Sequence, residues 1–293
     1  MVLPRARGAL AAAIVPWLRL KLVAGGAVMA LLLLCGAAAP LLAPQDPNLQ
    51  DLAHALVAPQ GLGAGHMLGT DHLGRDILSR ILYGARVSLL IACAVALISG
   101  VIGALLGAVS GYFGGRTDFL IQKLVEIVWA FPPLLLAIAI VAFFGQGVGI
   151  LIVALACQRW IPFCRVARAQ ALSLRARDFV TAALSLGAGD LRIILRHILP
   201  NLAQQALVIG TFAMATAIIS EASLSFLGLG VPPDIPTWGS MLADGRTHLS
   251  TSWWLAFFPG LSIFVTVLGI NLFGVGLRDR LDPRLRRGGA VPR

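Results

Sequence analysis

Six long and almost uninterrupted apolar runs constrain this chain more than any other feature. They occupy Leu22–Ala43, Ala85–Ser110, Phe119–Phe144, Val148–Val166, Leu202–Leu227 and Trp253–Leu277. A helix rises about 1.5 Å per residue and the hydrocarbon core of a bilayer is about 30 Å thick, so about 20 apolar residues suffice to cross. The runs are continuous rather than alternating and exceed strand length, and lipid forces each backbone to pair its polar groups internally. Both facts predict helices. With 58% apolar and 12% charged residues, a soluble core could not hide the apolar surface, whereas a bilayer solvates it. The expected fold is all-α, a polytopic membrane protein with six transmembrane helices.

The first run needs separating from a secretory signal. Arg5, Arg7, Arg19 and Lys21 precede it and Ala37–Ala39 lie near its end, which resembles a leader with a small-residue cleavage site. The run is long enough to span, however, and five more follow, so an uncleaved first span is expected.

Six spans put both termini on one side. Segments 1–21, 111–118, 165–200 and 278–293 then share a face and carry 17 Lys/Arg, while 44–84, 145–147 and 228–252 carry only Arg75, Arg80 and Arg246. Basic loops stay cytoplasmic, so the termini are placed in the cytoplasm. The same asymmetry accounts for the net charge of +10 without nucleic acid. Trp253 and Trp254 mark an outer boundary, and Trp17 and Trp160 lie near inner ends.

Within the runs, Pro132-Pro133, Pro162 and Pro259 predict packed kinks, or hinges along a pathway. Gly103-x-x-x-Gly107 predicts close helix packing. Cys35, Cys93, Cys157 and Cys164 lie in or beside apolar runs without a C-x-x-C pair, so neither metal nor disulfide is expected. His54, His66, His72, His197 and His248 are scattered.

About 35 residues separate runs four and five on the basic face. Arg177–Leu186 reads as a short helix, Gly187-Ala188-Gly189 as a turn, Asp190 as the N-cap of a second helix, and Pro200 as its stop. Small Ala182 and Ala183 beside Leu184 and Leu186 suit insertion into a groove on another protein.

Here the residues resemble a known signature. Thr181-Ala182-Ala183-x-x-x-Gly187 followed by Leu199-Pro200 is similar to the EAA coupling motif of bacterial ABC-importer permeases, with Thr181 where that motif has Glu. Three further segments are similar to the dipeptide, oligopeptide and nickel permeases. They are Gly69-Thr70-Asp71-x-x-Gly74-Arg75-Asp76-x-x-Ser79-Arg80 with Gly84-x-Arg86-x-Ser88-Leu89, Arg196-His197-Ile198-Leu199-Pro200-Asn201, and Glu221-Ala222-Ser223-Leu224-Ser225-Phe226-Leu227-Gly228-Leu229-Gly230.

The resemblance implies a C-type permease subunit in a bacterial cytoplasmic membrane, with the fold of a type I importer. It implies a second homologous permease, two ATPase subunits beneath, and an external substrate-binding protein as partners, besides membrane lipids. The ATPases would grip Thr181, Ala182, Ala183, Leu184, Leu186, Gly187 and Pro200. The implied organisation is an N-terminal unit 1–84, a permease core 85–282 holding the coupling segment 177–200, and a basic tail 283–293.

The chain offers no catalytic apparatus of its own. A phosphate-binding loop needs Lys after Gly, but the only lysines are Lys21, after Leu20, and Lys123, after Gln122. H-E-x-x-H and G-x-S-x-G are absent. Neither cofactor nor metal is expected on this chain, and ATP with Mg would be used by the partners. Transport of di- or oligopeptides is the expectation. A nickel or other small-solute permease and an ion-gradient carrier or channel are the alternatives, and a membrane enzyme lacks a catalytic cluster.

Other charges invite roles. Asp71/Arg75 and Asp76/Arg80 are spaced i, i+4. They either support a helix entering span two or form an external dock for the binding protein. Lys123 and Glu126 read as a neutralised pair within the bundle, or as pathway residues. Glu221, with no local partner in sequence, is either a pathway charge or an interhelical hydrogen bond.

Overall fold

The computed structural model describes residues 4–61 and 65–281, with side chains from Leu20 onward. The basic tail 283–293 and the side chains of Arg5, Arg7, Trp17 and Arg19 lie outside this description. The helices are α1 (Pro4–Ala37), α2 (Ala39–Leu42), α3 (Ile77–Phe113), α4 (Gly115–Trp129), α5 (Pro133–Phe144), α6 (Val148–Arg175), α7 (Asp178–Ser185), α8 (Asp190–Ile193), α9 (Leu199–Phe226), α10 (Trp238–Gly245) and α11 (Trp254–Leu281). The π-helical residues Ile194–Ile198 join α8 to α9.

Among the described residues, five helical segments are long and apolar enough to cross a membrane, and α4 with α5 form a sixth if the bent pair is one crossing. Expectation and structure part here. The run Phe119–Phe144 is not one helix but two, meeting at an angle of 82°. Pro132 and Pro133 have no N–H, and Pro also drives the residue before it out of helical backbone. The break is not left unpaired, because the Gln158 side-chain amide donates to the carbonyls of Val128 (2.8 Å) and Phe131 (2.5 Å). Membrane helices tolerate such breaks when a neighbour satisfies the freed carbonyls. Lys123 and Glu126 do pair at 2.6 Å, but on a face more than half exposed. Only Val125 of α4 is buried, so the pair lies outside the bundle core.

α3 and α6 pack closest, through Gly103, Gly107 and Gly111. A Cβ on these glycines would strike the backbone of α6 at Trp160, Cys164 and Arg168 respectively. Both rows step by four residues, so one ridge seats along the other. α1 lies against α11 in the same manner, with Gly25 facing Gly269 and Phe273, and Gly276 facing Leu22. A central core gathers Leu89, Ile91, Val95, Leu151, Leu155, Ile218 and Ile270. Many large apolar side chains face outward, among them Leu97, Phe143 and Phe144, as lipid-facing helices require.

Candidate functional site: a helical bracket at the basic face

The bracket 177–200 is built from residues that face two ways. Val180, Ile193, Ile194 and Ile198 turn inward and pack with Ala108 and Tyr112 of α3, Ala167 and Ala171 of α6 and Leu202 of α9. Phe179, Leu184, Leu186 and Leu191 turn outward, Leu186 being 89% exposed. Thr181, Ala182 and Gly187 are exposed and Ala183 is half-buried. The result is a rigidly seated base with an unpartnered apolar tip.

The turn between the arms follows from its glycine. At Gly187 φ is +80°, a region that disfavours a Cβ. The Ala188 N–H donates to the Ala183 carbonyl (3.0 Å), and the Gly187 N–H to Leu184 (2.9 Å). These two bonds define a Schellman cap, which satisfies carbonyls left open at the end of α7.

Two details correct the sequence reading. Gly189, not Asp190, is the N-cap of α8. The Asp190 carboxylate is instead engaged by the Tyr112 hydroxyl, which donates to it at 2.6 Å. This bond ties the second arm to the inner end of α3 across 78 residues of sequence. Pro200 does not stop the second helix either. It sits in the first turn of α9, directly after the π-helical residues. Where α-helical pairing would drive the proline ring into a carbonyl one turn back, the wider π turn makes room. The Leu199 N–H accordingly pairs with the Ile194 carbonyl.

On the opposite face the four charges of 71–80 also depart from expectation. α3 begins only at Ile77, so Asp71 and Arg75 lie in the loop before it, Asp76 is its N-cap and Arg80 sits in its first turn. Asp71 and Arg75 do pair, at 2.6 Å, while the Asp76 carboxylate caps α3 through the Ser79 N–H (2.8 Å). Arg80 turns away from Asp76 toward Asp71 (3.8 Å) and the Pro47 carbonyl (3.2 Å). A carboxylate that caps a helix satisfies open N–H groups, a role an i, i+4 pair cannot fill. All four are buried, between 1% and 6% exposed, so their charges are answered mainly within this subunit. Arg75 reaches Asp244 (3.8 Å), which links this loop to α10. Nearby, the Asp51 carboxyl is held below its usual range, chiefly by its hydrogen bond with His54. His66 sits against Asp76 and His72 stacks on His248.

Glu221 finds the partners its sequence neighbourhood concealed. Ser225 Oγ (2.9 Å) and Thr237 Oγ1 (2.8 Å) donate to one carboxylate oxygen, and Gly239 lies so close that a Cβ there would meet both oxygens. The carboxyl therefore pins α10 to α9. Its other oxygen, Oε2, is buried without a partner.

No motif announces Arg159. Its only sequence signal is a basic residue inside an apolar span, eleven residues into α6. The structure sets its guanidinium against Thr216 and Ser220 of α9.

Fold and site together define a polytopic helical membrane protein that presents a seated helical bracket on its basic face. The chain belongs to the family described as binding-protein-dependent transport system inner membrane component, whose model matches residues 103–287. It is thus a multi-pass protein of the bacterial inner membrane. It is 44% identical to a putative peptide transport system permease protein of Brucella abortus, over 90% of this chain and 88% of that protein. It is likewise 44% identical to the di/tripeptide transport system permease protein DppC of Pseudomonas aeruginosa (88% and 86% covered). To the oligopeptide transport system permease protein OppC of Bacillus subtilis it is 39% identical (89% and 84%). Among solved structures, an inward-facing MetNI methionine ABC transporter chain matches with TM-score 0.55 at 16% identity, over 71% of this chain and 96% of that one. At that identity the match speaks for the fold.

Proposed function

We propose that this subunit is the non-catalytic half-channel of an ATP-driven importer of short peptides. The bracket is where separate ATPase subunits grip it. The observation that carries this reading is the division of the bracket into a buried base and an exposed apolar tip. A segment seated on α3, α6 and α9 moves with those helices, and an unpartnered tip of this kind suits a groove on another protein. Peptide relatives at 39–44% identity over most of the chain support the substrate class. A second permease would complete the pathway and an external binding protein would deliver the peptide. The ATPases would supply the nucleotide chemistry, with ATP and Mg bound on them.

Thr181 in place of the motif's Glu is compatible with this role. Asp178 supplies a negative charge in the first turn of the same helix, where it favours the helix dipole.

The test is dipeptide uptake into vesicles containing all partners. Uptake should require ATP, and Gly187→Trp should abolish it while the subunit still inserts. A Cβ at Gly187 meets nothing within 4 Å, but the φ of +80° strains any side chain there, so Leu186→Trp, at the 89% exposed tip, is the companion variant that leaves the turn's backbone unchanged and should also abolish uptake. Normal uptake by that variant would refute the grip.

A further inference from the structure

Arg159 is a cation at membrane depth whose protein partners are all neutral. It lies about 16 Å along α6 from the outer end, at 1.5 Å per residue. Its guanidinium donates to the Thr216 hydroxyl, to the Thr216 carbonyl at 2.9 Å and to the Ser220 hydroxyl at 2.6 Å. Among the described residues no Asp or Glu comes within 4.0 Å of it. A guanidinium has five N–H donors, so the remaining ones, the Nε–H included, stay open. A charge in the bilayer interior is expensive, and such residues mark substrate pathways unless another protein charge neutralises them.

The space beside it fits a ligand. Arg159 lines a cavity of about 460 Å³ between the α4–α5 break, α6 and α9, walled by apolar Trp129, Leu134, Leu155 and Ile219. That volume lies within the range of small-ligand sites, which are apolar with a few convergent polar groups. Pro162 also borders the cavity, and its missing N–H frees the Gln158 carbonyl one turn back as an acceptor. The Thr216 and Ser220 contacts hold the guanidinium in place, and its open Nε–H can make a charge-assisted hydrogen bond to a carboxylate.

We propose that Arg159 with Thr216 and Ser220 forms a mid-membrane subsite for the terminal carboxylate of the translocating peptide. Apolar side chains of the peptide then lie along the cavity wall. This rests on the peptide reading above and deepens it, by placing part of the substrate contact on this subunit.

The test uses the complete complex in proteoliposomes, with a radiolabelled dipeptide of two apolar residues. Three readouts are taken: uptake, dipeptide retained in the vanadate-arrested complex, and ATPase stimulation by the binding protein. Arg159→Gln should lower uptake and retention at least tenfold with stimulated ATPase within twofold of wild type. Arg159→Lys, which keeps the charge, should hold retention within about threefold. Wild-type retention by Arg159→Gln would overturn the subsite. So would an Arg159→Gln chain that no longer joins the second permease while Arg159→Lys does, because Arg159 would then be answering a carboxylate of that subunit. Failure of the peptide reading shows separately, as a wild-type complex that neither takes up nor retains the dipeptide.

Discussion

Single residues in this chain are explained by what they can no longer obtain from water. Glu221 is 1% exposed and accepts two hydroxyl hydrogen bonds on one oxygen, leaving the other unpaired. Removing the acceptor strands the Ser225 hydroxyl, at about 1–3 kcal/mol for an unsatisfied group, and leaves the Thr237 hydroxyl only its contact with Ser240. Glu221→Ala should therefore lower the thermal midpoint of the purified subunit markedly. Glu221→Gln keeps the acceptor and discards an incompletely paired charge, so its midpoint should stay near wild type and its transport should persist. A Gln variant with intact stability but no uptake would reassign Glu221 to the pathway. The charges at 71–80 teach a related lesson. Spacing i, i+4 was legible, but the sequence does not say that Asp76 would cap α3 and that Arg80 would turn to Asp71. A buried carboxylate goes to the nearest open N–H groups, and which those are depends on where the helix begins.

At the scale of elements, close packing and proline breaks dominate. The glycine stripe on α3 was readable as a packing face, and its partner proves to be α6. Gly107→Ala should destabilise, since its Cβ would sit 2.7 Å from Ala167 Cβ and 2.9 Å from the Arg168 nitrogen. Overpacking of this kind costs about 1–3 kcal/mol. Gly149→Ala is the control, because a Cβ there meets nothing within 4 Å. Thermal melts of the two variants in detergent should separate them, and equal midpoints would deny the α3–α6 contact. The two prolines at 132–133 broke their helix, whereas Pro200 did not. Both outcomes follow from the missing N–H, and the difference lies in the neighbours. Gln158 supports the first break from another helix, while a π turn absorbs the second within its own. Sequence shows the proline and is silent about which relief is available.

Across the whole molecule, the proposed grip requires that motion at the bracket reach the spans. The Tyr112–Asp190 hydrogen bond is one direct link from the second arm to α3, alongside the apolar seat around Val180 and Ile198. A hydrogen bond to a charged group contributes about 1.5–3 kcal/mol. Tyr112→Phe should therefore loosen the arm without removing it. Uptake per ATP hydrolysed, measured in the same vesicles, should fall by roughly ten- to 150-fold if the whole of that energy is coupled, with hydrolysis retained. An unchanged ratio would assign coupling to the apolar seat alone.

Taken alone, the sequence determined that this is a membrane-spanning helical protein, the face on which its basic residues collect, and the location of its bracket. Those properties depend on local quantities: apolar run length, the side on which Arg accumulates, and glycine at one turn. Only the tertiary structure decided that the third run bends by 82°, that the outer-face charges are enclosed, and that Arg159 faces a cavity with neutral partners. Each of these depends on which distant side chain answers an unsatisfied polar group. That pairing is fixed by packing between helices far apart in the chain.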